Sequence, residues 1–137
     1  MSEKAMRQRV CRDLKPFMHP IPVENSCWPG TPDLSITTGW IELKWMKAWP
    51  KIAADAPVLI DHYTPQQRIW AQQRHRAGGN VWLMLQVKNE FLLFTGCFAA
   101  EALGRVSQSA LRHGALKIWP NGYDVQELIE WLSTPTI

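Results

Sequence analysis

Pro29-Gly30-Thr31-Pro32-Asp33-Leu34-Ser35-Ile36-Thr37-Thr38-Gly39-Trp40-Ile41-Glu42-Leu43-Lys44 is the stretch on which the reading of this chain turns. Apolar residues alternate at Leu34 and Ile36, then at Ile41, Leu43 and Trp45, so two short strands with one buried face are expected. Thr38-Gly39 supplies a two-residue turn between them. That turn pairs Thr37 with Trp40, Ile36 with Ile41, Ser35 with Glu42, Leu34 with Leu43 and Asp33 with Lys44. Residues directly opposed across a hairpin share a face, so Asp33, Glu42 and Lys44 are brought together on the side away from the apolar set. Asp33 and Glu42 then stand on a cross-strand diagonal, roughly 7–8 Å between Cα atoms, within reach of one cation. A slip of one residue would send the whole set to the other face.

Two carboxylates with open positions around them suit a hard cation that prefers oxygen and retains water, Mg²⁺ with Mn²⁺ as its substitute. No thiolate or imidazole lies close in sequence, so zinc is not expected. A lysine two residues beyond the second acid sets an ammonium beside such a cation, where it offsets phosphate charge or orients an attacking water. An isolated Glu-x-Lys is usually a solvated surface pair. Here Glu42 and Lys44 interrupt an apolar run from Trp40 to Met46, and a Pro-Asp step opens the preceding strand.

Pro32-Asp33 followed by Glu42-Leu43-Lys44 resembles the PD-(D/E)XK nuclease superfamily. Thr64-Pro65-Gln66-Gln67, continuing to Ala77-Gly78-Gly79-Asn80-Val81, is similar to the helix and following strand of its virus-type replication-repair nuclease branch, which is related to Holliday junction resolvases. The resemblance covers about residues 2 to 88. It implies an α/β fold with a restriction-endonuclease-like core, a small mixed central sheet flanked by helices. It also implies Asp33 and Glu42 as metal ligands, the Leu43 backbone carbonyl as a third, Lys44 as the catalytic lysine and Gln67 as a glutamine at the edge of the site. An upstream acid often joins such sites. Glu3 and Glu24 are the two candidates, Glu24 being the nearer in sequence. The implied activity is Mg²⁺-dependent hydrolysis of DNA phosphodiesters, with branched DNA as the favoured substrate and a homodimer as the assembly that cuts two opposed strands. A nicking or restriction-like enzyme on duplex, or a DNA-structure-binding module without catalysis, are the alternatives.

The composition is compatible with this. The chain has 137 residues, 46% of them hydrophobic, which suffices for one domain with its own core. That domain is expected to comprise a nuclease core over about 2 to 95 and an extension over about 96 to 137. Three cysteines, Cys11, Cys27 and Cys97, are odd in number and lack Cys-x-x-Cys spacing, which argues against a disulfide framework or a zinc knuckle. No apolar run of membrane-spanning length and no signal-peptide pattern is visible, so the expected location is the cytoplasm, including that of a host cell if the gene is phage-borne. A formal charge of +3 permits nucleic-acid binding without establishing it.

Its distribution suggests where DNA would lie. Ser2 to about Lys15 reads as a helix capped by Ser2, with Lys4, Arg7 and Arg12 on its polar side. Lys47 and Lys51 alternate with Trp45 and Trp49 just after the lysine of the hairpin, a mixture suited to gripping a strand, although a tryptophan there can equally plug the core. Thr64 to Gly78 reads as a helix with Thr64 as cap, Pro65 at its first position and Gln67 closing a capping box. On this reading Gln67 is either a cap or a site residue, not both. Arg68 and Arg74 make this helix a second basic surface. Val81–Val87 and Phe91–Thr95 read as apolar strands, and the tail as short helices, a strand near Ala115–Trp119 and an amphipathic helix from Asp124 to Leu132. That last helix and the eight tryptophans are the sequence grounds for expecting a homodimer. The four histidines are scattered without metal-binding spacing, and His62 is the exception that merits a test.

Overall fold

The computed structural model describes residues 2–24 and 27–136. Its centre is a mixed sheet of six strands in sequential order: β1 (Ile21–Pro22), β2 (Leu34–Ile36), β3 (Gly39–Met46), β4 (Val81–Val87), β5 (Glu90–Thr95) and β6 (Lys117–Trp119). All neighbours are antiparallel except β3 and β4, which run parallel because the helix α2 (Pro65–Arg76) carries the chain back between them. Four more helices complete the α/β fold: α1 (Glu3–Met18), α3 (Gly96–Ala102), α4 (Gln108–Gly114) and α5 (Val125–Leu132).

Alternation along the strands splits the interior into two layers. On one face Ile41, Leu43, Trp82, Met84, Phe91 and Leu93 pack with Met6, Val10 and Leu14 of α1 and with Leu128 and Leu132 of α5. On the other, Leu83, Leu85, Leu92 and Phe94 pack with Tyr63, Ala99, Leu103 and Leu111. β4 is buried along its whole length, as a strand covered on both faces must be. Residues 96–132 are therefore integral to the core: α3 and α4 cover one face, β6 extends the sheet and α5 closes the other. The tail strand and helices fall where their sequence pattern placed them.

The hairpin differs from its expected register. Leu34 pairs with Ile41, Ser35 with Trp40 and Ile36 with Gly39, so the turn is Thr37-Thr38 and Gly39 belongs to the strand. A glycine is needed there because Asn80 crosses close by: a Cβ on Gly39 would lie 2.3 Å from the Asn80 carbonyl oxygen. That carbonyl accepts the Trp40 N–H at 3.0 Å, and the Asn80 side chain donates to the Thr38 carbonyl at 3.1 Å. Gly39 thus marks a close approach of two backbones and not a turn. The shift is of two residues, so the side-chain alternation survives and no residue changes face.

Two helix details also depart from expectation. α1 runs one turn past Lys15 through Pro16, since burying Met18 against the core outweighs the hydrogen bond that proline cannot donate, and His19 caps it in the left-handed conformation. At α2 the capping box forms as predicted, with the Thr64 hydroxyl accepting from Gln67 N–H and the Gln67 Oε1 accepting from Thr64 N–H.

Candidate active site

Extending the observed register by one step places Asp33 directly opposite Glu42, not opposite Lys44. Asp33 is held from both ends. Its carbonyl accepts from Val23 N–H at 2.9 Å, and its Oδ2 accepts from Leu43 N–H at 2.8 Å, so the side chain continues the hairpin ladder where the backbone of β2 has stopped. This anchors the carboxylate against the main chain between Glu42 and Lys44. The N–H of Leu43 is thereby committed, and the Leu43 side chain points to the opposite face, into the α1–α5 layer.

Glu42 and Lys44 are 5% and 3% exposed, in a sheet face otherwise lined by leucines. Charged groups at such depth persist only with partners. The Lys44 Nζ donates to the His62 carbonyl at 2.7 Å and lies 3.4 Å from Glu42 Oε1 and 3.4 Å from Gln67 Oε1. Three acceptors match the three protons of an ammonium. Gln67 also sets its Nε2 3.5 Å from Glu42 Oε1. The amide therefore caps α2 and faces the acid and the lysine together, which corrects the expectation that one side chain would not serve both ends. It can do so because an amide oxygen has two lone pairs and its nitrogen two protons.

The carboxyl of Glu42 is held well above the ordinary carboxylate range. Burial is the first cause, the charge of Asp33 and a hydrogen bond with it come next, and Lys44 opposes them. A buried carboxyl whose proton affinity is raised by the charge of a second carboxyl and a hydrogen bond with it belongs to a donor set short of positive charge. The set is all oxygen, and Mg²⁺ or Mn²⁺ commonly takes only one or two carboxylates and completes its shell with water and phosphate, so Asp33 and Glu42 fit such an ion. Among the described residues no third His, Cys, Asp or Glu joins them in a metal-holding group.

Sequence reasoning missed two parts of this cluster. Tyr63 is buried beneath it, its ring 5.6 Å from Lys44 Nζ and 4.4 Å from the Arg68 guanidinium carbon. The available signal was its position just before the N-cap, where a staple to the fourth helical residue, here Arg68, is common. His62 contributes its backbone, not its imidazole, which is exposed. Its φ of 65° is the left-handed region that a non-glycine residue adopts at some cost, and it aims the carbonyl at Lys44.

Two depressions flank the cluster. A cleft of about 570 Å³ opens toward the end of β3 and is lined by Glu3, Lys44, Lys47, Leu59, Asp61 and His62 among others. Of the two upstream acids, Glu3 is therefore the one that the fold brings to the cleft Lys44 also lines. Glu24 is exposed just beyond β1 and is not among the residues of this cleft. Toward the start of β3 lies a second groove of about 390 Å³.

The basic residues divide. Lys4, Lys47 and Lys51 are exposed, Lys47 on the first cleft itself. Arg7 is half-buried, and Arg12 is exposed but sets its Nε 3.2 Å from Asp13, roughly 13 Å along the helix axis from Glu3. Arg68 is taken up inside the protein, donating to the Ala100 carbonyl at 3.0 Å and stacked on Tyr63, which ties α2 to α3. Trp49 is likewise structural: its Nε1 donates to Glu90 at 2.9 Å and its ring lies under Arg112, which pairs with the same carboxylate. Trp45 is half-buried and packs on the α1 layer. No described helix is long and apolar enough to cross a membrane.

No protein-family model matches the chain, and no curated protein or solved structure matches it either.

Proposed function

We propose that this protein is a Mg²⁺-dependent nuclease that hydrolyses DNA phosphodiester bonds at the Asp33–Glu42–Lys44 cluster. The observation that carries the reading is that cluster itself: Glu42 and Lys44 buried on an otherwise apolar sheet face, with the half-buried Asp33 and Gln67 against them at the meeting of a hairpin and a crossover helix. Apolar residues would stabilise such a position more than two carboxyl groups packed beside one lysine, so the polar set is more economically explained by chemistry than by folding. The order of the parts is also that of the nuclease resemblance: Pro-Asp, Glu-x-Lys, then a helix carrying the glutamine and a strand parallel to the second.

A divalent cation bound between Asp33 and Glu42, with the Leu43 carbonyl as the resemblance suggests, would supply a nucleophilic water and a Lewis acid for the phosphoryl oxygens. The protein's own groups do the positioning. Asp33, pinned through Leu43 N–H, fixes the spacing of the two acids. Lys44, held by three acceptors, lines the first cleft, where an incoming phosphate oxygen would compete for one of its protons. Gln67 couples the acid and the lysine, so that neither rotates away when substrate enters. Branched DNA is the substrate class favoured by the resemblance, and paired cuts in opposed strands would require two copies of the chain meeting on the junction.

Incubation of the purified protein with four-way junction, armed duplex, blunt duplex and single-stranded DNA, with and without Mg²⁺, tests the reading. Cleavage should require the metal. Asp33→Asn and Lys44→Ala should each lower it on the order of 100-fold or more while DNA binding persists, as for groups acting chiefly in the transition state. Tight binding without metal-stimulated cutting would instead identify a DNA-binding module and sink the nuclease.

A further inference from the structure

The groove at the start of β3 is walled by Trp28, Thr31, Trp40, Trp70, Gln73 and Arg74. Three of these wall residues lie close in the chain to a site residue. Trp40 precedes Glu42 by two on β3 and so shares its face, about 6.6 Å away along the strand. Trp70 follows Gln67 by three on α2, one turn further on the same side. Thr31 precedes Asp33 by two. The groove is thus formed by the same strand, helix and loop that carry the acid–lysine cluster, toward the start of β3, while the cleft lined by Lys44 and Lys47 lies toward its end.

Its chemistry is specific. Trp40 and Trp70 meet edge to face with centroids 5.2 Å apart, and the Arg74 guanidinium sits 4.6 Å from the Trp70 ring and 5.6 Å from that of Trp40. Beside them, on the same groove, Trp28 is 69% exposed. Gly30, at φ 91°, lets the backbone pass so near α2 that a Cβ there would lie 2.3 Å from the Gln66 carbonyl oxygen. Indole faces with an adjacent guanidinium form the pairing that stacks a nucleobase and attracts its phosphate.

We propose that this groove is a subsite for an unpaired nucleobase of the DNA strand being cut, so that the chain selects DNA with unpaired nucleotides next to the scissile phosphate over fully paired duplex. The inference rests on the nuclease reading for its phosphate position. In duplex the base faces are already stacked and must be extruded at a cost of a few kcal/mol, which an unpaired nucleotide avoids. Trp28, the exposed indole of a groove whose Trp40 lies one strand repeat from Glu42, receives the base of the nucleotide adjoining the cut, and Arg74 neutralises the phosphate beyond it. The preference is for base faces and not for base identity, since every base has one.

Equilibrium binding by fluorescence anisotropy in EDTA, where cleavage is silent, provides the test. The probes are a blunt duplex, the same duplex with a short unpaired arm, and that arm made abasic. Wild type should bind the armed duplex about 5- to 100-fold more tightly than the abasic one, the range expected for one stacked base. Trp28→Ala should lose that advantage, and Trp28→Phe should restore most of it. Because the abasic comparison uses unaltered protein, misfolding of a variant cannot produce the result. Equal affinity of wild type for normal and abasic arms, or an equal loss by Trp28→Ala on blunt and armed duplex, overturns the subsite. Metal-dependent cleavage without arm preference would remove only the subsite. Arm preference without cleavage would remove the nuclease and leave a binding groove.

Discussion

Glu42 pairs a catalytic assignment with a measurable cost to the fold. In the metal-free protein its carboxyl keeps its proton above the pH at which an unfolded glutamate, with a pKa near 4.5, releases its own. Between those two pH values the folded state binds more protons than the unfolded one, so this residue's contribution to stability falls as pH rises. Glu42→Gln keeps the shape and removes the titration. We expect it to melt higher than wild type at neutral pH without divalent metal, with the difference shrinking as pH falls toward about 4, while cleavage drops on the order of 100-fold or more. A variant that melts lower than wild type across that range would contradict the strained-pair account. His62 offers a complementary test at the same scale. Its carbonyl, not its ring, holds Lys44, so His62→Gly should retain cleavage within a few-fold and lose the left-handed strain of roughly 1 kcal/mol, offset by the extra chain entropy of glycine. Abolished cleavage in a folded His62→Gly variant would assign a role to the imidazole.

At the scale of elements, the hairpin shows what pattern reading reaches and where it stops. Period-two alternation put Asp33, Glu42 and Lys44 on one face, and they are there. It could not tell a turn glycine from a strand glycine, because that depends on Asn80, some forty positions away. Gly39→Ala should therefore destabilise by about 2 kcal/mol, as overpacking against backbone does, although the position is not conformationally demanding. Thermal unfolding would check this, and an unchanged midpoint would show that the β3–β4 junction yields easily. The capping box of α2 was legible from Thr64 and Gln67 alone. Its second use, facing Glu42 and Lys44, was not, because no local rule says which face of a helix start meets a sheet.

For the whole molecule, the apolar tail finds its partner within the chain. Leu128 and Leu132 of α5 are buried with α1, and the Tyr123 hydroxyl just before that helix donates to Asp13 at 2.6 Å. Trp82 and Trp119 are in the core, and of the eight tryptophans Trp28 is the one that is mostly exposed. The large exposed apolar residues, Phe17, Ile21, Trp28, Ile52, Leu59 and Ile69, are spread over several segments. The sequence grounds for a dimer are thus absorbed by the fold. Light scattering of the DNA-free protein at micromolar concentration should give a mass near 15.7 kDa, leaving any pairing of copies to the DNA. A mass near twice that value would restore a free homodimer.

The sequence by itself determined what is local and periodic: which strands alternate, where helices are capped, and that two acids and a lysine share one face of a hairpin. Each depends on backbone geometry that repeats every two or 3.6 residues. Tertiary structure decided the rest. It chose the register through Asn80, placed Glu3 and not Glu24 on the cleft, spent Arg68 on Tyr63 and Ala100, and set Trp28 beside Trp40 and Trp70. These outcomes depend on which distant segments come into van der Waals contact, and residues far apart in sequence carry no shared period from which that contact could be read.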